Sequence, residues 1–450
     1  MNKLKLIIRN NLNIVILILL SLSTNYLFYF SEIGIADKSI IIIICLLFVL
    51  VCTIIPFTQF MKFLIFIVLV FPKRPIGSEY SNVLLRDIMT MVGIQTFSFV
   101  EMVLFPLILI SYFVHIIIRS KDQLNNGNGL FFMLILYLFQ LLLYYFISSA
   151  EFNFFLYIYS AMNFSKILIA FIFIKHFKEL KCCRNYVMKL LFVLILIFYV
   201  EIVLAAMGVI PASEIYDFRD GFRSSIIGYA VEVGFMSFLA TLFGLHEFFF
   251  GKKKIYIILV FLASILQLFT FDRGNLYLSL LAIACYLIYN KPVLSISLLI
   301  SLLVFYTPVF SLIESSKMYE IKSTSGDLLG NESAMNRWSN QIFYLSKSFN
   351  NFFLPSGVGL NSITNSKFEL FVTGDIILAQ ESHNLLIQII YEAGIIVLFS
   401  YAFSVLRIYK VHGNMFLNFA LVLIVLYFCF QSRPCGLYFF ILPLIFSDRT

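Results

Sequence analysis

A polar stripe interrupts an apolar segment in the last quarter of the chain. Residues 381–396 read ESHNLLIQIIYEAGII, in which three polar side chains recur at intervals of four: Asn384, Gln388 and Glu392. On a helix capped by Ser382, these three side chains lie on one face. Lipid disfavours such groups, so the stripe must face protein or water.

His383 lies in the first turn of this predicted helix. The positive end of the helix dipole favours a neutral imidazole there and also attracts an anion. A neutral imidazole accepts a proton, so His383 beside a bound phosphate has the properties of a general base. The alternative is that His383 only caps the helix or tethers the preceding loop.

Arginines lie at predicted membrane boundaries on the same side as His383. They occur in YDFRDGFRSS, FDRGN and NRWSN, and are Arg219, Arg223, Arg273 and Arg337. Guanidinium groups bind phosphate through paired N–H donors, so the set predicts an anion held at the membrane surface. Structural ion pairs are the alternative, because the carboxylates of Asp217, Asp220 and Asp272 are close in sequence.

The elements that must position these residues are membrane-spanning helices. Hydrophobic residues make up 61% of the 450 and charged residues only 12%, with a mean hydropathy of +0.97. Soluble domains carry about twice that charged fraction, so a water-soluble protein is excluded. The apolar runs are continuous rather than alternating, which favours helices over a barrel.

Apolar runs predict about fourteen spans, and twelve is an acceptable count. They cover 12–30, 39–56, 58–72, 90–118, 130–148, 154–174, 190–210, 226–250, 255–271, 276–289, 293–312, 385–406, 415–430 and 436–446. The run 90–118 is long enough to tilt or to kink at Pro106. The fold class is therefore an all-α polytopic membrane protein, with residues 1–450 as a single integral membrane domain.

Lysine and arginine in short loops predict the orientation. The N-terminal residues and the loops 175–189, 251–254 and 407–413 are basic, which places them and both termini in the cytoplasm. Lys73, Arg74 and Arg86 disagree with this rule, which indicates an error near the third span or a functional basic loop. The basic residues of these loops account for the net charge of +8 and lie beside anionic lipid, so the charge does not require a nucleic-acid partner.

One large loop, 313–384, falls on the opposite, external side. Its apolar residues Met335, Trp338, Ile342, Leu345 and Phe349 recur at helical spacing, which predicts a helix on the membrane surface or packed on the bundle. We expect packing rather than sugar stacking for Trp338. Gly357 and Gly359 in LPSGVGLN predict a tight turn with close backbone approach.

These segments together resemble the O-antigen ligase and polymerase superfamily. SHNLLIQIIYEAG resembles its His-Asn and Glu-x-Gly signature, and NRWSNQIFYLSKSFNNFFLPSGVGLNSI resembles its Arg-Trp and Gly-x-Gly segment. FDRGNLYLSLLAIACYLI is similar to its Ser-Arg-Gly motif, with Asp272 replacing Ser. FRDGFRSSIIGYAVEVGFMSFLA is similar to its arginine-rich segment, without the usual Pro-Asn. The resemblance covers about residues 211–400.

The resemblance implies a GT-C-like fold in the bacterial inner membrane, with a periplasmic loop. It implies a metal-independent inverting glycosyltransferase that uses undecaprenyl-diphosphate-linked oligosaccharide and needs no cofactor. The catalytic residues would be His383, Arg273 and Arg223, with substrate bound by Arg219, Arg337, Asn384, Gln388, Glu392 and Glu232. Membrane lipid and a chain-length regulator are the other expected partners. We favour a polymerase, and a ligase acting on lipid A core is the alternative within the family.

A lipid-linked oligosaccharide flippase and a noncatalytic scaffold are the alternatives from other classes. A transporter is expected to show repeated halves with interrupted helices, which the sequence lacks. A scaffold leaves the external arginine and histidine set unexplained. Ionisable residues inside the spans are functional candidates or internal pairs: Glu101, Glu151, Lys166, Glu201 and Glu232. The seven cysteines are scattered and predict neither a disulfide framework nor a metal site.

Overall fold

The structure, a computed structural model, describes residues 51–52, 54–70, 75–76, 97–98, 104–119, 124–149, 152–209, 215–217, 221–222, 224, 230–270, 273–293, 331–360, 367–369, 376–378, 384–429 and 434–447. Helices dominate these residues, as the composition predicts. The predicted span 12–30 lies outside the described residues, together with all but the first residue of 293–312 and most of 39–56.

The helices follow one another along the chain with short connections. They are α1 Phe57–Val70, α2 Phe105–Arg119, α3 Leu124–Ile147, α4 Phe154–Lys175, α5 Phe177–Cys182, α6 Arg184–Ala206, α7 Ala230–Phe249, α8 Tyr256–Phe269, α9 Arg273–Asn290, α10 Asn331–Asn350, α11 Leu385–Ala393, α12 Ile395–His412 and α13 Met415–Cys429. Two 3₁₀ helices, Pro434–Phe440 and Leu442–Phe446, follow.

Three short antiparallel ladders accompany the helices in the described part of the chain. They pair β1 Pro75–Ile76 with β2 Phe97–Ser98, β3 Tyr216–Asp217 with β4 Gly221–Phe222, and β5 Lys367–Glu369 with β6 Ile376–Leu378. Each strand has only two or three residues, so the ladders are hairpin-like connections rather than a sheet.

Four helices in the described residues are long and apolar enough to cross a membrane: Gly129–Ile147, Leu156–Lys175, Arg184–Ala206 and Ile395–His412. Six shorter apolar helices accompany them. Large apolar side chains on these helices are exposed, as on Phe139, Phe399 and Phe403. Exposed apolar surface on helices of this length is typical of a helical membrane protein, as the sequence predicts.

The chain forms two compact units. The first contains Met1–Arg184, Arg337–Asn418 and Ile424–Thr450, and the second contains Asn185–Asn336 and Phe419–Leu423. The first unit therefore carries α1 to α5, most of α10, and α11 and α12. The second carries nearly all of α6, and α7 to α9. The predicted single domain 1–450 stays a prediction.

In the first unit the 3₁₀ helices form part of the core. The Tyr401 hydroxyl of α12 donates to the Leu437 carbonyl, and the Tyr409 hydroxyl donates to the Phe440 carbonyl over 2.7 Å. Residues 437–447 are buried. The predicted span 436–446 corresponds to these two 3₁₀ helices, and its apolar side chains have α4, α5 and α11 as neighbours.

The second unit is held by close helix packing. A Cβ on Gly244 of α7 would lie 2.8 Å from Val260 Cγ2 of α8, so glycine allows these two helices to approach. The Gln267 amide of α8 donates to Ser279 Oγ of α9 over 2.6 Å, and the Tyr199 hydroxyl of α6 donates to the Leu262 carbonyl over 2.8 Å. Polar links of this kind replace the hydrophobic effect between helices in lipid.

One element boundary differs from the sequence prediction, and one proline lies at a helix start. Pro106 lies in the first turn of α2, which begins at Phe105, a position where proline is tolerated. The predicted loop 175–189 is largely helical: α5 covers Phe177–Cys182 and α6 begins at Arg184. Lys175 and Lys181 lie in the last turns of α4 and α5, where the negative end of the helix dipole favours a cation.

Candidate functional site

Asn384 caps helix α11. Its side-chain Oδ1 accepts hydrogen bonds from the backbone N–H groups of Leu386 and Ile387, at 3.0 and 3.2 Å. The prediction of Ser382 as the cap is thus wrong, because α11 begins two residues later. Ser382 and the candidate base His383 lie outside the described residues. Asn384 therefore fixes where the helix dipole begins, directly after His383 in the sequence.

Gln388 and Glu392 form a buried pair one turn apart on α11. The Gln388 amide Nε2 donates to Glu392 Oε1 over 2.9 Å, and only 3% and 1% of these side chains are exposed. The prediction that this stripe avoids lipid is confirmed for both residues. The Gln388 Oε1 acceptor has no hydrogen-bond partner among the described residues. A buried acceptor in that state costs about 1–3 kcal/mol and would be satisfied by a hydroxyl.

The predicted span 385–406 is broken in two at Gly394. This glycine has φ +88°, and a Cβ there would lie 3.1 Å from Pro355 Cδ. A non-glycine residue would be strained by the backbone and crowded by Pro355, so glycine is required at this break. The consequence is that α11 is a short half-helix, and α12 alone is long enough to span.

The turn Ser356–Gly359 holds the end of α11. Ser356 donates to the Tyr391 carbonyl from its backbone N–H at 2.9 Å and from its hydroxyl at 2.8 Å. The Gly357 N–H donates to the Glu392 carbonyl over 3.1 Å. These donors satisfy carbonyls that the helix end leaves without intrahelical partners. Two segments that the sequence singled out independently are therefore in direct contact.

The glycines of this turn behave as the sequence predicts. Gly357 has φ +120° and Gly359 has φ +79°. A Cβ on Gly359 would lie 2.9 Å from Asn163 Cγ of α4, so the backbone passes directly over that side chain. Both the left-handed conformation and the close approach require glycine, and the predicted tight turn is confirmed.

Helices α3 and α4 contact the turn Ser356–Gly359. The Tyr137 hydroxyl accepts from the Val358 N–H over 2.8 Å and lies 2.5 Å from Ser160 Oγ. The Tyr137 ring stacks on Phe164 at 4.0 Å between centroids. Tyr137 and Ser160 are both completely buried. No sequence pattern singles out Tyr137, because a tyrosine in an apolar span is an ordinary residue.

Lys166 adds a buried cation to the same face of α4. It is 3% exposed, and its Nζ lies 3.4 Å from Asn163 Oδ1, which is a long hydrogen bond. The Asn163 amide in turn donates to the Tyr159 carbonyl over 3.1 Å. A lysine inside a span is costly unless protein surrounds it. The sequence marked Lys166 as a candidate without assigning its chemistry, and the structure places it one turn from Asn163 beneath Gly359.

The candidate arginines are described incompletely. Arg219 and Arg223 lie outside the described residues. Arg273 begins α9 and Arg337 lies in α10, and the structure describes only their backbone. Glu232 is in the first turn of α7 and is 6% exposed. Arg273 and Glu232 belong to the second unit, whereas Asn384, Gln388 and Glu392 belong to the first. The convergence of arginines and His383 on one anion stays a prediction.

Ionisable residues elsewhere in the spans are in part described. Glu201 of α6 is 5% exposed and faces protein. Glu101 and Glu151 lie outside the described residues. Within the described ranges, the structure shows no group of three or more His, Cys, Asp or Glu side chains that could hold a metal ion. Metal independence remains a prediction for experiment.

Comparison with known proteins gives no relative. Neither a protein-family model, nor a curated protein, nor a solved structure matches this chain. The functional argument therefore rests on the residues and their geometry.

Proposed function

We propose that this chain is an O-antigen (surface polysaccharide) polymerase. It would join oligosaccharide repeat units carried on undecaprenyl diphosphate at the periplasmic leaflet of the bacterial inner membrane. A hydroxyl of the acceptor sugar attacks the anomeric carbon of the donor with inversion, and the lipid diphosphate leaves. The reaction needs a base for the hydroxyl proton and cations for the leaving group.

The observation that carries this proposal is the junction between the turn Ser356–Gly359 and the end of α11. The resemblance to the polymerase and ligase superfamily rests on separate sequence segments, two of which meet here through the Ser356 and Gly357 hydrogen bonds. The buried pair Gln388 and Glu392 lies on the same half-helix. A polar, protein-enclosed half-helix at the end of a span supports a site for a lipid-linked sugar.

In this proposal each candidate residue has a distinct role. His383 takes the acceptor proton, and Arg223 and Arg273 neutralise the charge that develops on the departing diphosphate. Arg219 and Arg337 bind the diphosphate in the ground state. Asn384 sets the start of α11 and so positions His383, while Gln388 and Glu392 orient the acceptor. Glu232 is the remaining substrate-binding candidate.

A reconstituted assay tests the proposal. The purified full-length chain in proteoliposomes is supplied with lipid-diphosphate repeat unit alone, and in a second arm with lipid A core added. A ladder of longer lipid-linked chains in the first arm is the expected result. Product only when lipid A core is present would assign the chain to ligases, and translocation of the substrate without a new glycosidic bond would assign it to flippases.

A chelator arm of the same assay tests the role of the arginines. Excess EDTA, followed by desalting into metal-free buffer, is expected to leave the polymer ladder unchanged, because guanidinium groups neutralise the diphosphate. Loss of the ladder with recovery on adding Mg²⁺ would contradict the arginine-only mechanism.

A further inference from the structure

Helix α10 has an unusual distribution of side chains. Its inward face is polar or amphipathic: Ser339, Asn340, Tyr344 and Ser348 are at most 3% exposed. Its outward face is apolar: Trp338, Leu345 and Phe349 are 60%, 40% and 70% exposed. A helix on a water-soluble protein has the opposite arrangement. Trp338 therefore lies on the exposed face of α10 and not on its buried face.

The apolar face is not a scattered set of side chains. Trp338, Leu345 and Phe349 are separated by seven and four residues, which places them on one side of the helix. Phe352, in the turn that follows, is 75% exposed. Four large apolar groups in one strip form a surface that water would disfavour.

The position of α10 along the membrane normal can be read from its C-terminal end. The Phe353 carbonyl accepts from the Ile395 N–H over 3.3 Å, so the chain that leaves α10 contacts the first residue of α12. Helix α12 has 18 residues, which at 1.5 Å per residue is about 27 Å long, close to the hydrocarbon thickness. The end of α10 therefore lies at one boundary of the hydrocarbon, since it meets an end of the spanning helix.

The composition of the face fits that boundary. Tryptophan and phenylalanine are enriched where the hydrocarbon meets the headgroups, because their rings tolerate both surroundings. Helix α10 itself is too polar to span, as shown by its absence from the candidate membrane spans of the described residues.

We propose that α10 is an in-plane interfacial helix, and that its outward face of Trp338, Leu345 and Phe349 inserts into the headgroup and acyl boundary of the leaflet where α12 begins. The occupant of this face is lipid. The inference does not depend on the enzymatic activity, because it rests on exposure, tethering and side-chain type alone.

Trp338 is itself the probe, because it is the only tryptophan in the 450 residues. The full-length chain is reconstituted in vesicles of phosphatidylethanolamine and phosphatidylglycerol that carry bromine at shallow or deep positions of the acyl chain. Expected results are a blue-shifted Trp338 emission, stronger loss of emission with shallow than with deep bromine, and weak quenching by aqueous acrylamide. Trp338→Phe gives the background signal.

Two variants provide the contrast. Phe349→Glu places a charge in the proposed contact and is expected to shift Trp338 emission to the red and reduce bromine quenching. Ser346→Glu adds the same charge at an exposed position beside the face and is expected to leave both signals nearly unchanged. Both positions are exposed, so neither change disturbs the core.

Two outcomes would overturn the inference. Efficient acrylamide quenching without bromine quenching would place the face in water. Protection from both quenchers that disappears when the protein is diluted into excess lipid would identify a second copy of the chain as the occupant.

Discussion

The candidate site residues have different proposed roles, so each role needs its own test. His383 would act on a proton, Arg273 on a developing charge, and Gln388 and Glu392 on the orientation of the acceptor. The Gln388 amide Nε2 donates to the Glu392 carboxylate, and the Gln388 Oε1 acceptor has no hydrogen-bond partner in the described part of the chain. A side chain in this state is poised to bind a hydroxyl, so its loss should affect substrate affinity more than the chemical step.

We expect His383→Ala and Arg273→Ala each to abolish long-chain polymer without lowering the protein level. Loss of a general base costs about 10²–10⁴-fold in rate, which is enough to remove long chains. Gel ladders of surface polysaccharide from cells that express each variant measure the effect. His412→Ala and Arg407→Ala are the controls, since both residues lie at the opposite end of α12 from Gly394. Normal ladders from the first two variants would remove the proposed site.

His176 predicts a pH dependence of stability. The ring lies between α4 and α5, and its Nε2 is 3.0 Å from the Tyr112 hydroxyl. Burial, with a smaller repulsion from Lys175, lowers the pKa of His176 to about 4. The Glu179 carboxylate lies 3.8 Å from Nδ1 but is 38% exposed, so water screens its opposing effect.

In the unfolded chain the same imidazole titrates near pH 6.5. The stabilisation from a neutral, buried His176 is therefore complete above about pH 6.5 and is lost as the pH falls towards 4. We expect the thermal midpoint in detergent to fall more between pH 7 and pH 5 for the native chain than for His176→Phe. His412→Phe should reduce the fall less than His176→Phe does, because His412 is less buried, although burial and the nearby Lys181 and Lys178 lower its pKa too. An equal fall for the native chain and His176→Phe would show that another group is responsible.

Residue identity was predicted better than residue role. Sequence spacing correctly placed Gln388 and Glu392 on a face turned away from lipid. It chose Ser382 as the helix cap, although Asn384 makes the capping bonds. Serine and asparagine cap helices about equally well, so the choice depends on the direction from which the preceding chain arrives. Tyr137 was missed because its function as an acceptor for Val358 N–H exists only once the turn is folded.

At the scale of elements, the break at Gly394 decides the shape of the candidate site. It ends α11 after nine residues and frees carbonyls that Ser356 and Gly357 then satisfy. Hydropathy cannot detect such a break, because a glycine between alanine and isoleucine leaves the apolar average high. The break requires donors from a segment that is distant in sequence, which only tertiary structure reveals.

Glycine substitutions separate backbone strain from close approach. Gly394→Ala introduces both backbone strain and a close contact, because φ is +88° and the new Cβ would lie 3.1 Å from Pro355 Cδ. We expect the free energy of unfolding to fall by about 1–3 kcal/mol or more. Gly208→Ala introduces backbone strain alone, because φ is +73° and the space around it is open. It should lower the free energy of unfolding less than Gly394→Ala does. Gly129→Ala lies in α3 with nothing within 4 Å and should be neutral or stabilising.

Unfolding of the three variants in detergent, by heat or by increasing SDS, gives this order directly. Equal losses for Gly394→Ala and Gly208→Ala would show that the contact with Pro355 contributes nothing. A stable Gly394→Ala variant would mean that α11 and α12 can join into one continuous helix.

Most spans in the described part could be predicted from apolar length alone. The predictions 130–148, 154–174 and 190–210 correspond to α3, α4 and α6, with ends that differ by up to six residues. Helical periodicity also predicted α10 and the face that carries Trp338. It could not predict which way that face turns, because an apolar strip packs inward when its neighbour is water and outward when its neighbour is lipid.

For the whole molecule, sidedness is the decisive property. Cys182 is exposed at the end of α5, and Cys183 beside it is 1% exposed. We expect a membrane-impermeant maleimide to label Cys182 only from the cytoplasmic side, and His383→Cys only from the periplasmic side. Cys182→Ser should remove the cytoplasmic label, and Cys183→Ser should retain it. Labelling of position 383 from the cytoplasm would place the site beside the wrong leaflet.

The residues predicted to form one substrate site are distributed over both compact units. Asn384, Gln388 and Glu392 lie in the first, and Arg273 and Glu232 lie in the second. The sequence analysis grouped them because all fall on one predicted side of the membrane. That criterion fixes their depth along the membrane normal but not their position in the membrane plane. Activity of the His383 and Arg273 variants is therefore the more direct test of their cooperation.

The hydrogen bonds of Ser356 and Gly357 to Tyr391 and Glu392 also close a ring in the covalent chain. The residues between Gly357 and Tyr391 begin and end at two points that are joined by hydrogen bonds in the folded protein. The entropy lost in joining the two ends is thus spent during folding. A ligand that binds beside α11 does not have to supply the entropy cost of closing this loop, so more of its contact energy remains as affinity.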